Sequence, residues 1–188
     1  YLGYITVADS VRTSSRDALQ ALHSAGAEAL IMLTGDNAVT AQTIADAVGV
    51  TAIRADLLPE QKVQAIEQLR EQYGAVAMVG DGVNDTPALA AATLGIAMGA
   101  GSAQALETAD ITLMGNDLSK LPFAYQLSQA TMRIIRQNIS AALGIKALFL
   151  LIVLLGAGSL WLAVLADVGA SLLVTLNGMR LLQWREKG

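Results

Sequence analysis

Residues 73 to 89, YGAVAMVGDGVNDTPAL, set Asp81 and Asp85 four positions apart, directly after a short apolar run and just ahead of Pro87. Carboxylates so placed are hard oxygen ligands suited to Mg2+, which takes one or two carboxylates and keeps several waters. Two other loops carry complementary groups. Thr34, Gly35, Asp36 and Asn37 bring a hydroxyl, a glycine and an acid to the opening of a helix, where backbone N–H groups and the helix N-terminus favour a phosphoryl oxygen. LLPEQK places Lys62 one turn into a helix that begins near Pro59, and an ammonium there neutralises phosphate charge. Taken singly, Asp36 and Asp85 are also good N-caps, the second helped by Pro87. Lys62 alone also reads as a solvated helix lysine, and Gly80 and Gly82 as turn glycines. The three loops in order, each behind a strand, point to a phosphoryl-transfer site.

A second pair of charges lies in an apolar setting. Lys146 falls within ISAALGIKALFLLIVLLGAG (139–158) and Asp167 within SLWLAVLADVGASLLVTL (159–176). Either charge alone in a bilayer interior costs at least about 2.5–3.5 kcal/mol, so each needs a partner or a purpose. Counted from Asn138, Lys146 lies roughly 12 Å deep at 1.5 Å per residue. Asp167, about eight residues from the far turn, reaches a similar depth in a core about 30 Å thick. The two can pair when no other cation is present. Asp167 is then a candidate cation ligand and Lys146 its built-in counter-charge; the plainer alternative is an ion pair that fixes the hairpin, or a snorkelling lysine. Gly169 leaves room for close packing. Trp161 reads as an interfacial anchor, Met132 and Met179 as packing residues, and His23 as a solvent-facing helix residue.

The elements that must position these groups follow from pattern. The chain has 188 residues, of which 54% are hydrophobic and 15% charged, too apolar for an ordinary soluble domain. Net charge is −4 with no basic stripe, so nucleic acid is excluded as a partner. There is no cysteine, hence no disulfide or thiolate metal site within this chain. It begins at Tyr1, as if cut from something longer. Apolar runs at 2–8, 28–34, 50–55, 75–80, 94–98 and 110–114 are strand-length, with helix-length segments at 16–24, 38–48, 59–73 and 86–92. Strands apolar throughout suit burial on both faces, and the alternating order predicts a parallel sheet within 1–117, whose ligands sit beyond the carboxyl ends of its strands. A polar connector helix, 118–138, leads to two membrane helices in 139–182, about 139–157 and 159–178, and a tail, 183–188. Arg133 and Arg136 before the first span, and Arg180, Arg185 and Lys187 after the second, place both ends and the α/β domain in the cytoplasm by the positive-inside rule.

TGD (34–36), PEQK (59–62) and GDGVNDTPAL (80–89) together resemble the phosphorylation domain of P-type ATPases, members of the haloacid-dehalogenase-like superfamily. The fold so implied is a doubly wound parallel sheet, incomplete here, followed by a transmembrane hairpin. The resemblance implies that Thr34, Gly35 and Asp36 hold the phosphoryl group, that Lys62 stabilises its charge, that Asp81 binds Mg2+, and that Asn84 and Asp85 complete the phosphate and magnesium environment. VADSVR (7–12) is similar to the segment returning from the nucleotide-binding domain, with Asp9 and Arg12 at the hinge. GIAMGAGSAQALETADITL (95–113) also follows the family pattern. Asn138, Lys146, Asp167 and Gly169 resemble the last two membrane helices of the pumps that export Zn2+, Cd2+ and Pb2+, where the aspartate binds metal beside two cysteines of an earlier helix. The family's D-K-T-G-T nucleophile, its T-G-E loop and its Cys-Pro-Cys helix do not occur in this chain. The implied whole is a bacterial plasma-membrane pump with ATP bound mainly by an absent domain, and this segment alone is inactive. Copper or potassium transport on the same machine, a membrane-anchored phosphatase of the haloacid-dehalogenase type, and a truncated membrane interaction module are the rival readings.

Overall fold

The computed structural model describes residues 13–115 and 117–183. The expected strand at 2–8, the Asp9 and Arg12 hinge, Arg185 and Lys187 lie outside the described residues. The chain divides into two compact units, Tyr1–Pro122 and Phe123–Gly188.

In the first unit the order is α1 (Thr13–Ser24), β1 (Ile31–Leu33), α2 (Ala38–Val48), β2 (Ala52–Arg54), α3 (Pro59–Tyr73), β3 (Ala77–Gly80), a 3-10 turn (Val83–Asp85), α4 (Thr86–Ala91), β4 (Leu94–Met98), α5 (Ala103–Thr108) and β5 (Ile111–Leu113). Local chemistry sets several bounds. Asn37 caps α2 by accepting from Thr40 N–H, and Gly49, at φ 78°, closes it in the left-handed region. Pro59 opens α3, and the Gln61 side chain accepts from Leu58 N–H at 2.8 Å. All strand pairs are parallel, as the alternating pattern predicts. Among the described residues they form two groups, β1–β2 and β3–β4–β5, instead of one continuous sheet.

Strand β4 shows why its sequence is apolar at every position. Ala97 packs into a cluster with Ile66, Met78, Leu89 and Ala105, whereas Ile96 packs with Leu113 and Leu121. Adjacent residues therefore enter cores on opposite faces, as period-two geometry requires when both faces are covered. Helix α5 is not predicted by the spacing; Ser102 caps it by accepting from Ala105 N–H.

Two apolar helices follow. Helix α6 (Lys120–Leu154) and helix α7 (Leu160–Met179) are joined by a short turn in which Gly156 adopts φ 79°. By length and composition two helices here can cross a membrane. The polar connector and the first span, distinct in composition, are one unbroken helix of 35 residues. Residues 123–143 contain neither Gly nor Pro, so nothing ends the helix where hydropathy changes; Pro122 sits in the first turn, where it is tolerated. Ser159 caps α7 by accepting from Leu162 N–H.

Ahead of α6, Asp117 Oδ1 accepts from Ser119 N–H at 3.0 Å. A hydrogen bond from the Ser119 side chain, then this backbone bond, hold the Asp117 carboxyl below its ordinary range. A lowered folded-state value means that the turn gains stability above the unfolded carboxylate value of about 3.9, and loses it as pH falls through the folded value. The Ser119 amide resonance is therefore expected to hold steady from neutral pH down to about 4 and to shift only in stronger acid. Asp117→Asn is expected to abolish that shift.

Candidate functional site

The strand ends deliver the expected loops. Thr34 follows β1, and its hydroxyl donates to Asp36 Oδ2 at 3.0 Å while accepting from Asp36 N–H at 3.1 Å. These two bonds fold TGD into a tight turn. The loop after β2 braces it: Asp56 N–H donates to Asp36 O at 2.8 Å and Leu57 N–H to Thr34 O at 3.0 Å. Asp56 adopts φ 54°, a left-handed conformation that aspartate tolerates better than most residues. Gly35 is exposed, and a Cβ on it would come within 3.3 Å of Leu57 O. Asp36 is not the helix cap that one plain reading allows; that place belongs to Asn37.

The loop after β3 is built around Asp85. Its carboxylate Oδ1 accepts from Lys62 Nζ at 2.7 Å, and the two side chains are only 14% and 16% exposed. Lys62 is thus not a free solvated lysine, and Asp85, though it precedes α4, makes no side-chain cap bond. Removing one partner would leave a largely desolvated charge, which costs more than the intact pair contributes. Gly80 makes the arrangement sterically possible: a Cβ there would lie 2.8 Å from Asp85 Cβ. Gly82 is looser, with Asp85 Oδ2 at 3.8 Å from the same construction. Asp81 and Asn84 are exposed. Asp81 is positioned through its backbone, its carbonyl accepting from Ser102 N–H at 2.8 Å. A Cβ on Gly101 would meet that carbonyl at 2.8 Å.

Lys62 and Asp85 are therefore brought into contact. Among the described residues no hydrogen bond joins the Thr34–Asp36 turn to that pair. Sequence reasoning missed Asp56, Gly101 and Ser102, which shape the two loops through backbone bonds that carry no sequence signature. Asp81 and Asp85 fit a magnesium ion: two carboxylates on one strand-end loop, Asp81 open to solvent, suit a cation that keeps most of its waters and takes substrate oxygens.

In the second unit, Lys146 of α6 and Asp167 of α7 line one cavity of about 190 Å³, walled also by Ile145, Phe149, Ala166 and Ala170. They make no ion pair with each other, in contrast to the pairing expected from their depths. Among the described residues no cluster of three or more His, Cys, Asp or Glu forms a metal cage. His23 and Trp161 are exposed, as are Met132 and Met179.

A family model described as haloacid dehalogenase-like hydrolase matches residues 1–93. The chain is 57% identical over 186 residues, 98% of its length, to a probable cadmium-transporting ATPase of Alkalihalophilus pseudofirmus, and covers 26% of that protein. It is 50% identical to the zinc/cadmium/lead-transporting P-type ATPase of Escherichia coli, over 98% of this chain and 25% of that one. A crystal structure of a zinc-transporting PIB-type ATPase in its E2.Pi state aligns at TM-score 0.87 with 50% identity, covering 93% of this chain and 28% of that one. The chain thus spans about a quarter of the length of these curated relatives.

The Gly80–Asp85 contact yields a direct test. Gly80→Ala is expected to force Asp85 aside, separate it from Lys62 and cost about 1–3 kcal/mol of stability, the usual range for overpacking. The Asp85 side-chain carboxyl NMR resonance should shift on Lys62→Met in the parent but scarcely in the Gly80→Ala background.

Proposed function

We propose that this chain, which belongs to the heavy-metal branch of the P-type ATPases, supplies phosphate-handling loops and a membrane carboxylate to an ATP-driven exporter of Zn2+, Cd2+ and Pb2+. The single observation that carries the reading is the shared cavity of Lys146 and Asp167, an ammonium and a carboxylate on neighbouring apolar helices. A carboxylate oxygen suits a divalent borderline ion such as zinc, whereas Cu+ prefers all-soft ligands, so copper is disfavoured. Asp167 would be one ligand among several, the others coming from the rest of the pump. Lys146 would stand in as counter-charge when the metal has left.

In the first unit, Thr34, Gly35 and Asp36 would present a hydroxyl and backbone N–H groups to a phosphoryl oxygen. Lys62 would turn its ammonium from Asp85 toward the same group, and Asn84 would complete its polar surroundings. Magnesium, held by Asp81 and Asp85, would offset charge on the transferred phosphoryl group. The acceptor aspartate and most of the ATP site would lie elsewhere in the pump, so the segment alone would not turn over ATP. Helix α6, unbroken from Lys120 to Leu154, would serve as connector over 118–138 and as first span beyond it. Arg133, Arg136 and Arg180 favour a cytoplasmic α/β domain in a bacterial plasma membrane.

In the full-length pump, Asp167→Ala is expected to reduce zinc-stimulated ATP hydrolysis to the metal-free background while leaving phosphorylation by inorganic phosphate intact; undiminished zinc stimulation would refute the assignment. Lys62→Met is expected to lower turnover by about 10²–10³, the range for losing a preorganised charge-stabilising donor. The zinc concentration for half-stimulation should stay put, as ATPase titrations can show.

A further inference from the structure

One end of the α6–α7 seam carries a chain of hydrogen bonds. Asn138 Nδ2 donates to Val174 O at 3.3 Å, Asn177 Nδ2 donates to Asn138 Oδ1 at 2.8 Å, and Arg180 donates to Asn177 Oδ1 at 3.1 Å. The first two cross between helices, and both asparagines are half-buried. The less exposed residues of α6 recur every three or four positions from Asn138 to Ile152, and those of α7 from Ala163 to Asn177. That is the spacing of a helix–helix seam.

Much of α7's side of the seam is alanine, at Ala163, Ala166 and Ala170. Small residues let helices approach closely, but a smooth surface resists sliding poorly. A slip of one turn displaces a helix by about 5.4 Å. Directional bonds between amides supply what alanines lack, and a single buried asparagine is a known way to fix helix register. From the Asn138–Val174 bond, Lys146 lies eight residues along α6 and Asp167 seven residues back along α7. Those steps are rises of about 12 Å and about 10.5 Å, so the two charged residues come level to within about 1.5 Å.

We infer that Asn138 and Asn177 are positioning residues that set the antiparallel register holding Lys146 level with Asp167. Arg180 orients the Asn177 amide by occupying its oxygen and turning its Nδ2 toward Asn138. The inference rests on the reading of Asp167 as a cation ligand: a slipped hairpin keeps both charges but parts them, so metal affinity falls while phosphate chemistry is untouched.

The test uses purified full-length pump, with zinc titrated into ATP-hydrolysis assays and phosphorylation by inorganic phosphate measured in parallel. Asn138→Ala and Asn177→Ala are each expected to raise the zinc concentration for half-stimulation about three- to tenfold, the range of one interhelical hydrogen bond in a membrane. Because they share a bond, the double variant should be no worse than the weaker-binding single variant. Maximal turnover and phosphorylation by inorganic phosphate should stay near the parent, which a merely destabilised pump would not manage. If the alanine variants fail to fold, Asn177→Ser, whose hydroxyl reaches less far, carries the same expectation. Half-stimulation within twofold of the parent, additive losses, or a fall in phosphorylation alongside zinc response overturns the register role. A parent pump indifferent to zinc, or an Asp167→Ala variant that responds as the parent does, overturns the transport reading instead.

Discussion

The contact between Lys62 and Asp85 joins two segments of the first unit. It ties the helix that follows β2 to the loop that follows β3, and so joins the ends of two strand groups that share no backbone ladder among the described residues. Because both groups are largely desolvated, neither tolerates separation unless another charge replaces its partner. Such a pair suits the proposed site, where phosphate and magnesium would come and go. On the proposed function, a phosphoryl group would take over the ammonium, and a divalent cation the carboxylate, with little net change in charge at the strand ends. Gly80 belongs to the same constraint, since any side chain there would occupy the space into which Asp85 folds back.

The two strands whose tips carry Thr34 and Asp81 are both parallel-paired, β1 with β2 and β3 with β4. Main-chain bonds between neighbouring loops then set the tips. Asp56 and Leu57 bond to the Thr34 turn, and Ser102 bonds to Asp81. The candidate site side chains Asp36, Asp81 and Asn84 are therefore left exposed, while the backbone beneath them is fixed. Such an arrangement presents polar groups to a ligand without making them share in holding the fold.

Much of this was legible because strand burial leaves a plain mark. Apolar runs with no alternation announced strands covered on both faces, and Ala97 and Ile96 enter opposite cores as that reading requires. The loops behind those strands could then be located by their carboxylates, hydroxyl and lysine. What sequence could not give was the direction of side chains and the partners of backbone groups. Asp36 and Asn37 are both good caps by type, and only geometry assigns the cap to Asn37. The residues α5 spans are few and follow a stretch broken by Gly99 and Gly101, so periodicity had too little length to register them. The change from polar to apolar near Asn138 is a change of surroundings, not of backbone, and α6 passes through it unbroken. Depth along a helix, by contrast, is simple arithmetic, and it puts Lys146 and Asp167 at one level, where both line the same cavity.

That the second pair is not in contact is what distinguishes it from the first. Lys62 and Asp85 touch, and each satisfies the other's charge. Lys146 and Asp167 instead face a common cavity without closing on one another. In a hydrocarbon setting an ion pair in contact would be the cheaper resting state, since each isolated charge carries a penalty of a few kcal/mol, about 2.5–3.5 on insertion scales. A closed pair, however, would cancel the field that, on the proposed reading, attracts a cation, and would fill the space such a cation would need. Held apart across a cavity with room for water, the carboxylate would, on the proposed reading, keep a lone pair for an incoming ion, with the ammonium on the same cavity wall as its counter-charge. Separation of this kind must be imposed by the helices, because the charges themselves favour collapse. A hairpin tied by amide bonds between Asn138, Val174 and Asn177 at one end would have the means to impose it.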